Sequence, residues 1–206
     1  MNRTTILLAD DHAIVRMGLK SLLEDEADLS VIGEAKDGAT AVTESLRLRP
    51  DVVVMDLMMP RKDGIAATAD LRRKLPDVKI LILTTYSTSD GIAHALESGA
   101  TGALLKNSAD AELIPAIRAV AAGKTYISKE IRHLLAEDPP AQTLTDRQRG
   151  ILESVTRGFS NGEIAREFGI TEITVRNHLT VIFNKIGAAT RAEAVAIAMR
   201  KQLLKL

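Results

Sequence analysis

The first half of the chain alternates short apolar runs with segments whose apolar residues recur at helical spacing. The run Val52–Met55 is apolar at every position, which is typical of a strand buried on both faces of a parallel sheet. Segment 38–48 instead spaces its apolar residues three and four apart, which indicates an amphipathic helix. Strands and helices in strict alternation predict a doubly wound α/β domain with a five-stranded parallel sheet.

The predicted strands are Thr4–Asp10, Leu29–Ala35, Asp51–Asp56, Lys79–Thr84 and Gly102–Leu105. The predicted helices between and after them are His12–Glu26, Gly38–Leu48, Gly64–Lys74, Thr88–Glu97 and Asp110–Ala122.

The pattern changes after Tyr126, because the rest of the chain carries helical periodicity without any strand signal. We therefore predict an α/β domain over residues 1–124, a linker with a short helix over 125–141, and an all-α domain over 142–206. The short helix is expected at Ser128–Ala136, before a polar segment that contains two prolines. The four later helices are expected at Asp146–Arg157, Asn161–Phe168, Glu172–Ile186 and Arg191–Arg200.

Composition excludes several classes of protein. The chain has no cysteine, which excludes disulfide scaffolds, cysteine zinc clusters and cysteine nucleophiles. Only 2% of its residues are aromatic, so base-stacking platforms for single-stranded nucleic acid are not expected. The first apolar run, Ile6–Ala9, is shorter than a signal peptide or a membrane helix requires. We therefore expect a cytoplasmic protein without a membrane partner.

Charge is distributed unevenly, although 27 basic and 27 acidic residues balance over the whole chain. Residues 1–141 contain 17 Lys and Arg against 21 Asp and Glu, whereas residues 142–206 contain 10 against 6. A basic excess in a small helical domain favours a polyanionic partner such as DNA.

Chemically useful side chains follow four of the five predicted strands. Asp10 and Asp11 follow the first strand, Asp56 ends the third, Thr84 ends the fourth, and Lys106 follows the fifth. In a doubly wound fold these ends line one crevice. Clustered carboxylates suit Mg²⁺, and a carboxylate beside a metal ion can act as a nucleophile toward phosphorus. Lys106 and Thr84 could then donate to the phosphoryl oxygens.

These residues resemble the receiver domain of response regulators over about Thr4 to Gly123. The matching pieces are Asp10-Asp11-His12, Asp56-Leu57-Met58-Met59-Pro60 with Gly64, Leu83-Thr84-Thr85 and Leu104-Leu105-Lys106. The resemblance implies that Asp56 accepts a phosphoryl group, and that Asp11, Asp56 and the backbone carbonyl of Met58 bind Mg²⁺ directly. It further implies that Asp10 acts through water, that Thr84 contacts the phosphoryl group and that Lys106 pairs with it.

Two positions leave alternatives open. Thr85 is adjacent to Thr84, and we choose Thr84 because it directly ends the strand. Receivers often carry an aromatic residue three positions before the lysine, where this chain has Ala103, so the usual coupling between threonine and aromatic is in question. Tyr86 is the nearest aromatic residue, and we interpret it as an unrelated surface residue.

The C-terminal segment has the caps of a helix-turn-helix. Thr145 and Gln148 have the spacing of a capping box, and Ser160 and Thr171 stand where N-caps of the next helices are expected. Gly169 supplies the turn between the second and third of these helices.

The third helix of this domain has two faces. Five apolar residues are expected to face inward or a neighbour: Ile173, Val175, Leu179, Ile182 and Ile186. Five polar residues are expected to face outward: Arg176, Asn177, Thr180, Asn184 and Lys185. Arginine and asparagine suit base edges or phosphates.

Residues Leu144 to Leu204 resemble the LuxR-type helix-turn-helix of NarL/FixJ-family response regulators. The matching pieces include Gly158-x-Ser160-Asn161-x-Glu163-Ile164-Ala165 and Ile170-Thr171-x-x-Thr174-Val175-Arg176-x-His178. The resemblance implies that Arg176, Asn177 and Thr180 face the major groove and that Lys185 contacts phosphate. Gln148 replaces the usual glutamate, and Thr180 replaces a longer side chain. The last helix has Ala194, Val195 and Ala198 on one stripe. In the family this helix pairs dimers, although core packing would explain some of the same residues here.

The sequence therefore predicts a transcriptional regulator of a two-component system, phosphorylated on Asp56 by a sensor histidine kinase. We expect it to bind double-stranded DNA and to form a homodimer when phosphorylated, and we do not expect an enzyme. A phosphatase of the haloacid-dehalogenase type is the first alternative, but it needs an Asp where this chain has Met58. An orphan regulator controlled without phosphate is the second alternative.

Overall fold

The computed structural model describes residues 3–85, 88–140, 144–201 and 203–204. Tyr86 and the predicted domain boundary at residues 141 and 142 lie outside the described residues. The chain divides into two compact units, Met1–Asp138 and Pro139–Leu206. Within the described residues, none of the helices is both long enough and apolar enough to cross a membrane.

The first unit is built around one parallel sheet with strand order β2-β1-β3-β4-β5-β6. Its strands are β1 (Thr4–Ala9), β2 (Leu29–Ala35), β3 (Val52–Met55), β4 (Lys79–Thr84), β5 (Gly102–Leu105) and β6 (Tyr126–Ile127). The doubly wound fold predicted from the sequence is confirmed. The order reverses between β1 and β3, and such a switch point is where doubly wound folds bind ligands.

Helices cover both faces of the sheet: α1 (Ala13–Glu24), α2 (Gly38–Leu48), α3 (Gly64–Lys74), α4 (Ser89–Glu97), α5 (Ala109–Ala121) and α6 (Lys129–Glu137). Consecutive strand residues point to opposite faces, so Val53 and Ile82 belong to one core while Val54 and Leu83 belong to the other. The first core contains residues of α2, α3 and α4, and the second contains residues of α1 and α5.

The predicted count of five strands is wrong, because β6 adds a sixth. This strand has two residues and pairs with β5 through Gly102↔Tyr126 and Ala103↔Ile127. Two residues are too few to produce a recognisable apolar run, so the strand has no sequence signal of its own. Its place at the sheet edge depends on backbone hydrogen bonds such as the one from Ser128 N to Ala103 O, 3.1 Å.

The segment expected to be a linker is structured up to residue 138. Ser128 caps α6 by accepting from the backbone N–H of Ile131, and the Ile131 side chain is fully buried in the first core. Burial of this amphipathic helix, together with β6, makes residues 126–137 part of the first unit.

The described residues of the second unit form four helices: α7 (Asp146–Thr156), α8 (Asn161–Phe168), α9 (Glu172–Ile186) and α10 (Arg191–Arg200). One apolar core unites them, with Ile151, Ile164, Ile182 and Ala194 all fully buried. Three of these helices have the bounds predicted from the sequence, since glycine and cap residues mark their ends.

Candidate functional site

Strand register brings the acidic residues together at the switch point of the sheet. Ala9 of β1 pairs with Met55 of β3, so the next residues, Asp10 and Asp56, lie side by side. The backbone N–H of Asp56 donates to the carbonyl of Ala9 at 2.8 Å. Both carboxylates are almost fully buried, with 2% and 4% of the residue exposed. Two neighbouring buried carboxylates need a cation between them.

Lys106 supplies a positive charge to both carboxylates. Its Nζ lies 2.5 Å from Oδ2 of Asp10 and 2.7 Å from Oδ2 of Asp56. Leu105 at the end of β5 pairs with Thr84 of β4, and this register carries Lys106 past the sheet edge toward the acids. The sequence prediction that Asp10, Asp56 and Lys106 meet at one edge therefore describes what the structure shows.

The surroundings shift the pKa values of this pair. Burial raises the pKa of the Asp56 carboxyl above its usual range, because desolvation outweighs the hydrogen bond and the charge of Lys106. Burial acts on Lys106 in the opposite direction, but hydrogen bonds to Asp10 and Asp56 outweigh it and raise the pKa of the ammonium. The lysine therefore stays charged at neutral pH.

The donor set fits a hard divalent cation. One ligand atom from each of Asp10, Asp11, His12 and Asp56 lies within 4.8 Å of the others. The three carboxylates outnumber the single ammonium of Lys106, so the cluster carries an excess of negative charge. Carboxylate oxygens are the ligands that Mg²⁺ prefers, usually one or two of them with several waters.

His12 belongs to the motif Asp10-Asp11-His12, but the sequence predicted no role for it. Its Nδ1 lies 2.7 Å from Oδ1 of Asp11, and its backbone N–H donates to Oδ1 of Asp10 at 2.8 Å. His12 thus orients both acids of the pair. A histidine directly after two aspartates was the available signal.

Thr84 and Thr85 differ sharply in the structure. Thr84 is the last residue of β4 and is fully buried, whereas Thr85 is exposed. Thr84 ends β4, which pairs with β5, and Lys106 directly follows β5.

Gly64 lets the loop after β3 return close to Asp56. Its N–H donates to the carbonyl of Leu57 at 2.9 Å, and a Cβ at this position would overlap the backbone oxygen of Asp56. Only glycine fits without moving the backbone of the candidate phosphoacceptor. Met58, whose carbonyl was expected to bind Mg²⁺, lies in this loop with its N–H 3.5 Å from Oδ1 of Asp56.

The far end of the same loop is held by Asp37, which the sequence analysis did not identify. Asp37 is fully buried, caps α2 by accepting from Thr40 N at 2.8 Å, and forms an ion pair with Arg61. Arg61 has a φ of 65°, a conformation that is uncommon outside glycine. The N–H of Gly38 also donates to the carbonyl of Lys62 at 3.0 Å. The loop is therefore anchored at both ends.

In the second unit, capping residues build the helix-turn-helix as predicted. Thr145 and Gln148 form a complete capping box on α7, and Ser160 and Glu163 form another on α8. Gly169 ends α8 in the left-handed conformation with φ 62°. Thr171 then caps α9 by accepting from Thr174 N. These caps fix the direction of α9.

The faces of α9 separate polar from apolar residues with two exceptions, Ile173 and Val181. Arg176, Asn177 and Thr180 are exposed, and four of the five predicted apolar positions are buried in the core of the unit. The fifth, Ile173, was expected to face inward or towards a neighbour, and with 68% exposure it does not face the core. It lies on the side of the helix opposite to the buried stripe.

Lys185 lies at the margin of this face rather than at its centre. It is half-buried, and its Nζ lies 3.0 Å from Oε1 of Gln148 on α7. The same Gln148 oxygen accepts from the backbone N–H of Thr145 at 3.1 Å. Gln148, which replaces the glutamate usual in the family, thereby connects α7 with the end of α9.

The predicted stripe on α10 is used for core packing. Ala194 and Ala198 are buried in the core of the second unit, and Val195 packs against it. Packing within the unit therefore accounts for these residues.

The chain matches two described families. Residues 6–118 match the response regulator receiver domain, and residues 142–198 match the bacterial regulatory proteins of the luxR family. The transcriptional regulatory protein LiaR of Bacillus subtilis is 40% identical over 97% of this chain and 98% of its own length.

Two solved structures extend the likeness to the whole chain. The response regulator ChrA of a heme-sensing two-component system is 36% identical, covers 99% of this chain and 100% of its own, and has a TM-score of 0.59. RcsB of Salmonella enterica serovar Typhimurium, bound to a promoter in the presence of the phosphomimetic BeF3⁻, is 26% identical with a TM-score of 0.72. That likeness covers 97% of this chain and 99% of the RcsB chain.

Proposed function

This chain belongs to the response regulators that join a receiver domain to a LuxR-type DNA-binding domain, and we propose that phosphorylation of Asp56 controls its binding to DNA. We assign residues 1–124 to the receiver and 142–206 to the DNA-binding domain. Of the segment between them, 125–141, residues 126–137 fold as part of the first unit. The geometry of Asp10, Asp56 and Lys106 at the sheet edge is the observation that carries the proposal.

The proposed phosphoryl transfer uses groups that lie within reach of Asp56. An oxygen of Asp56 forms the new bond to phosphorus while the phosphorus–nitrogen bond of a phosphohistidine on a sensor kinase breaks. Mg²⁺ would be held by Asp11, Asp56 and the Met58 carbonyl, with Asp10 acting through water, and would neutralise charge on the phosphoryl oxygens. Lys106 and the buried hydroxyl of Thr84 would donate to those oxygens.

Phosphorylation of Asp56 would change the interactions of the Lys106 ammonium. Lys106 lies between Asp10 and Asp56, so a phosphoryl group on Asp56 would compete for the same ammonium. Ala103, fully buried on β5, stands where receivers often carry an aromatic residue. The usual coupling between the threonine and an aromatic residue at that position is therefore not available to Thr84.

DNA binding is assigned to the outer face of α9. Arg176, Asn177 and Thr180 are exposed there, with Thr180 about one helical turn after the other two, which suits contacts along a major groove. Lys185, at the margin of the face, is the candidate for a phosphate contact. Because DNA is the ligand, we place the protein in the cytoplasm, and we do not propose catalytic turnover of a separate substrate.

A homodimer is proposed for the phosphorylated state, since a two-fold assembly matches a two-fold operator. Ile14 and Met17 on α1 support it, because 85% and 69% of these large apolar residues are exposed. A second copy would remove this surface from water.

The test is a selection from random duplex DNA with and without Mg²⁺ and beryllofluoride, a stable mimic of the phosphoryl group. We expect a two-fold-symmetric motif that is enriched only with the mimic. The same motif in both arms would reject Asp56 as the switch, and no motif in either arm would reject the DNA-binding proposal.

Asp56→Asn tests the phosphoacceptor directly. The variant should fold normally and form no acyl phosphate with a small phosphodonor, because the amide oxygen is a poor nucleophile. Asp77→Asn, at an exposed loop position, is the matched control and should be labelled like the wild type. Normal labelling of Asp56→Asn would contradict the assignment.

A further inference from the structure

Two large apolar side chains are exposed on α9: Ile173 in its first turn and Val181, 46% exposed, further along the helix. Ile173 is 68% exposed, whereas Val175 and Ile182 on the same helix are fully buried. An α-helix turns about 100° per residue, so the nine residues from Ile173 to Ile182 place them on opposite sides. Ile173 therefore lies near the centre of the outer face and not at the edge of the buried stripe.

The local structure holds Ile173 in a defined position. Thr171 caps the helix by accepting from Thr174 N at 3.2 Å, and the hydroxyls of these two threonines lie 2.9 Å apart. Ile173 is the second residue of the helix that they begin. A β-branched side chain in a helix is also largely restricted to one rotamer. Its methyl groups are thus presented in a nearly fixed direction.

The polar neighbours of Ile173 leave room for an apolar contact. Arg176 and Asn177 follow at i+3 and i+4, so they share its face. Thr180 follows at i+7, but its hydroxyl donates to the carbonyl of Arg176 at 3.1 Å within the same helix. That bond directs the hydroxyl proton to the helix backbone and leaves the hydroxyl oxygen as an acceptor.

We propose that Ile173 recognises thymine, by contact with its C5 methyl group, next to the bases that Arg176 and Asn177 contact. Thymine is the one DNA base that presents a methyl group in the major groove. The first residues of a recognition helix are those that reach base edges. The inference rests on the DNA-binding function proposed above, and it makes Ile173 a determinant of specificity within it.

The experiment removes the methyl group from the DNA and the side chain from the protein. The full-length protein with beryllofluoride is titrated against the duplex recovered by selection, with each thymine replaced in turn by uracil. At one position in each half-site, uracil should weaken binding of the wild type about fourfold, the effect of one buried methyl-sized group. Ile173→Ala should bind the thymine and uracil duplexes equally.

Two variants complete the test. Ile173→Val keeps branched methyl groups in the same place and should retain most of the preference for thymine. Met199→Ala removes another exposed apolar side chain, on α10, and should retain all of it. Loss of the preference in Met199→Ala would overturn the assignment to Ile173.

The outcomes separate this inference from the proposed function. If the wild type binds the selected duplex and replacing thymine by uracil does not weaken binding, the role of Ile173 is overturned and the DNA-binding function stands. The same conclusion follows if uracil weakens binding equally in the wild type and in Ile173→Ala. Failure to bind any selected duplex overturns the DNA-binding function and this inference together.

Discussion

The acidic pocket of the first unit buries its charged groups, whereas the outer face of α9 in the second unit exposes its polar and charged groups to solvent. In the pocket, Asp10 and Asp56 are almost fully buried and share one ammonium. On α9, Arg176 and Asn177 are exposed to solvent. Buried charges interact strongly and depend on their partners, whereas exposed charges are screened by water and salt.

Because of this difference, mutations in the two regions should affect different properties of the protein. A change in the pocket alters the stability of the receiver as well as its chemistry, because a buried carboxylate without its partner is costly. A change on α9 should leave stability nearly untouched and alter only the affinity for DNA.

Lys106→Met should lower the free energy of unfolding by about 3 kcal/mol in EDTA, since it leaves two buried carboxylates without their cation. Mg²⁺ should restore part of the loss, because a divalent cation can replace the ammonium. Urea unfolding with EDTA and with Mg²⁺ measures both effects. Lys124→Met, at an exposed position, is the control, and an equal loss in that variant would remove the special role of Lys106.

Gly64→Ala should lower the free energy of unfolding by about 2 kcal/mol, because the added methyl group overlaps the backbone oxygen of Asp56. Labelling of Asp56 by a small phosphodonor should fall as well. Gly18→Ala on α1 is the control, since an added Cβ there meets no atom within 4 Å. That variant should be more stable by about 0.5–1 kcal/mol. Equal effects of the two substitutions would show that the close approach is unimportant.

Arg176→Ala should weaken binding to the selected duplex by about 1–2 kcal/mol without changing the urea midpoint. Fluorescence anisotropy against salt concentration measures the affinity and the number of ionic contacts. Arg200→Ala removes one exposed charge from α10 and serves as the control for net charge. Similar losses in both variants would indicate nonspecific attraction instead of a contact by α9.

Glu167→Gln should have the smallest effect and should depend on pH. The hydroxyl of Ser154 at 2.5 Å, together with Arg157 at 2.6 Å, lowers the pKa of Glu167 below its ordinary value of 4.5. A lowered pKa in the folded state stabilises the protein above pH 4.5, and this stabilisation disappears as the pH falls through the folded-state value. The difference between wild type and variant in urea unfolding should therefore shrink below pH 4.5. A difference independent of pH would contradict the ionic origin.

Local signals made much of this protein predictable. Helix ends could be placed because caps act within a few residues, and the Thr145 and Gln148 capping box is present as expected. Residues that follow buried strands could be assigned to one sheet edge because parallel strands end together. Strand β6 could not be predicted, since its pairing to β5 depends on residues more than twenty positions earlier. For Ile173 the sequence left two directions open, inward or towards a neighbour, because apolar spacing alone cannot show which side of a helix the core occupies.

The sequence by itself determined which side chains were available: the aspartates and the lysine after the strands, and the caps that begin each helix of the second unit. These depend on neighbours in the chain, so periodicity and cap residues reveal them. Only the tertiary structure decided that Lys106 bridges Asp10 and Asp56, that Asp37 holds the loop through Arg61, and that Ile173 is exposed. Such contacts join residues far apart in sequence, and strand register and helix packing set their distances.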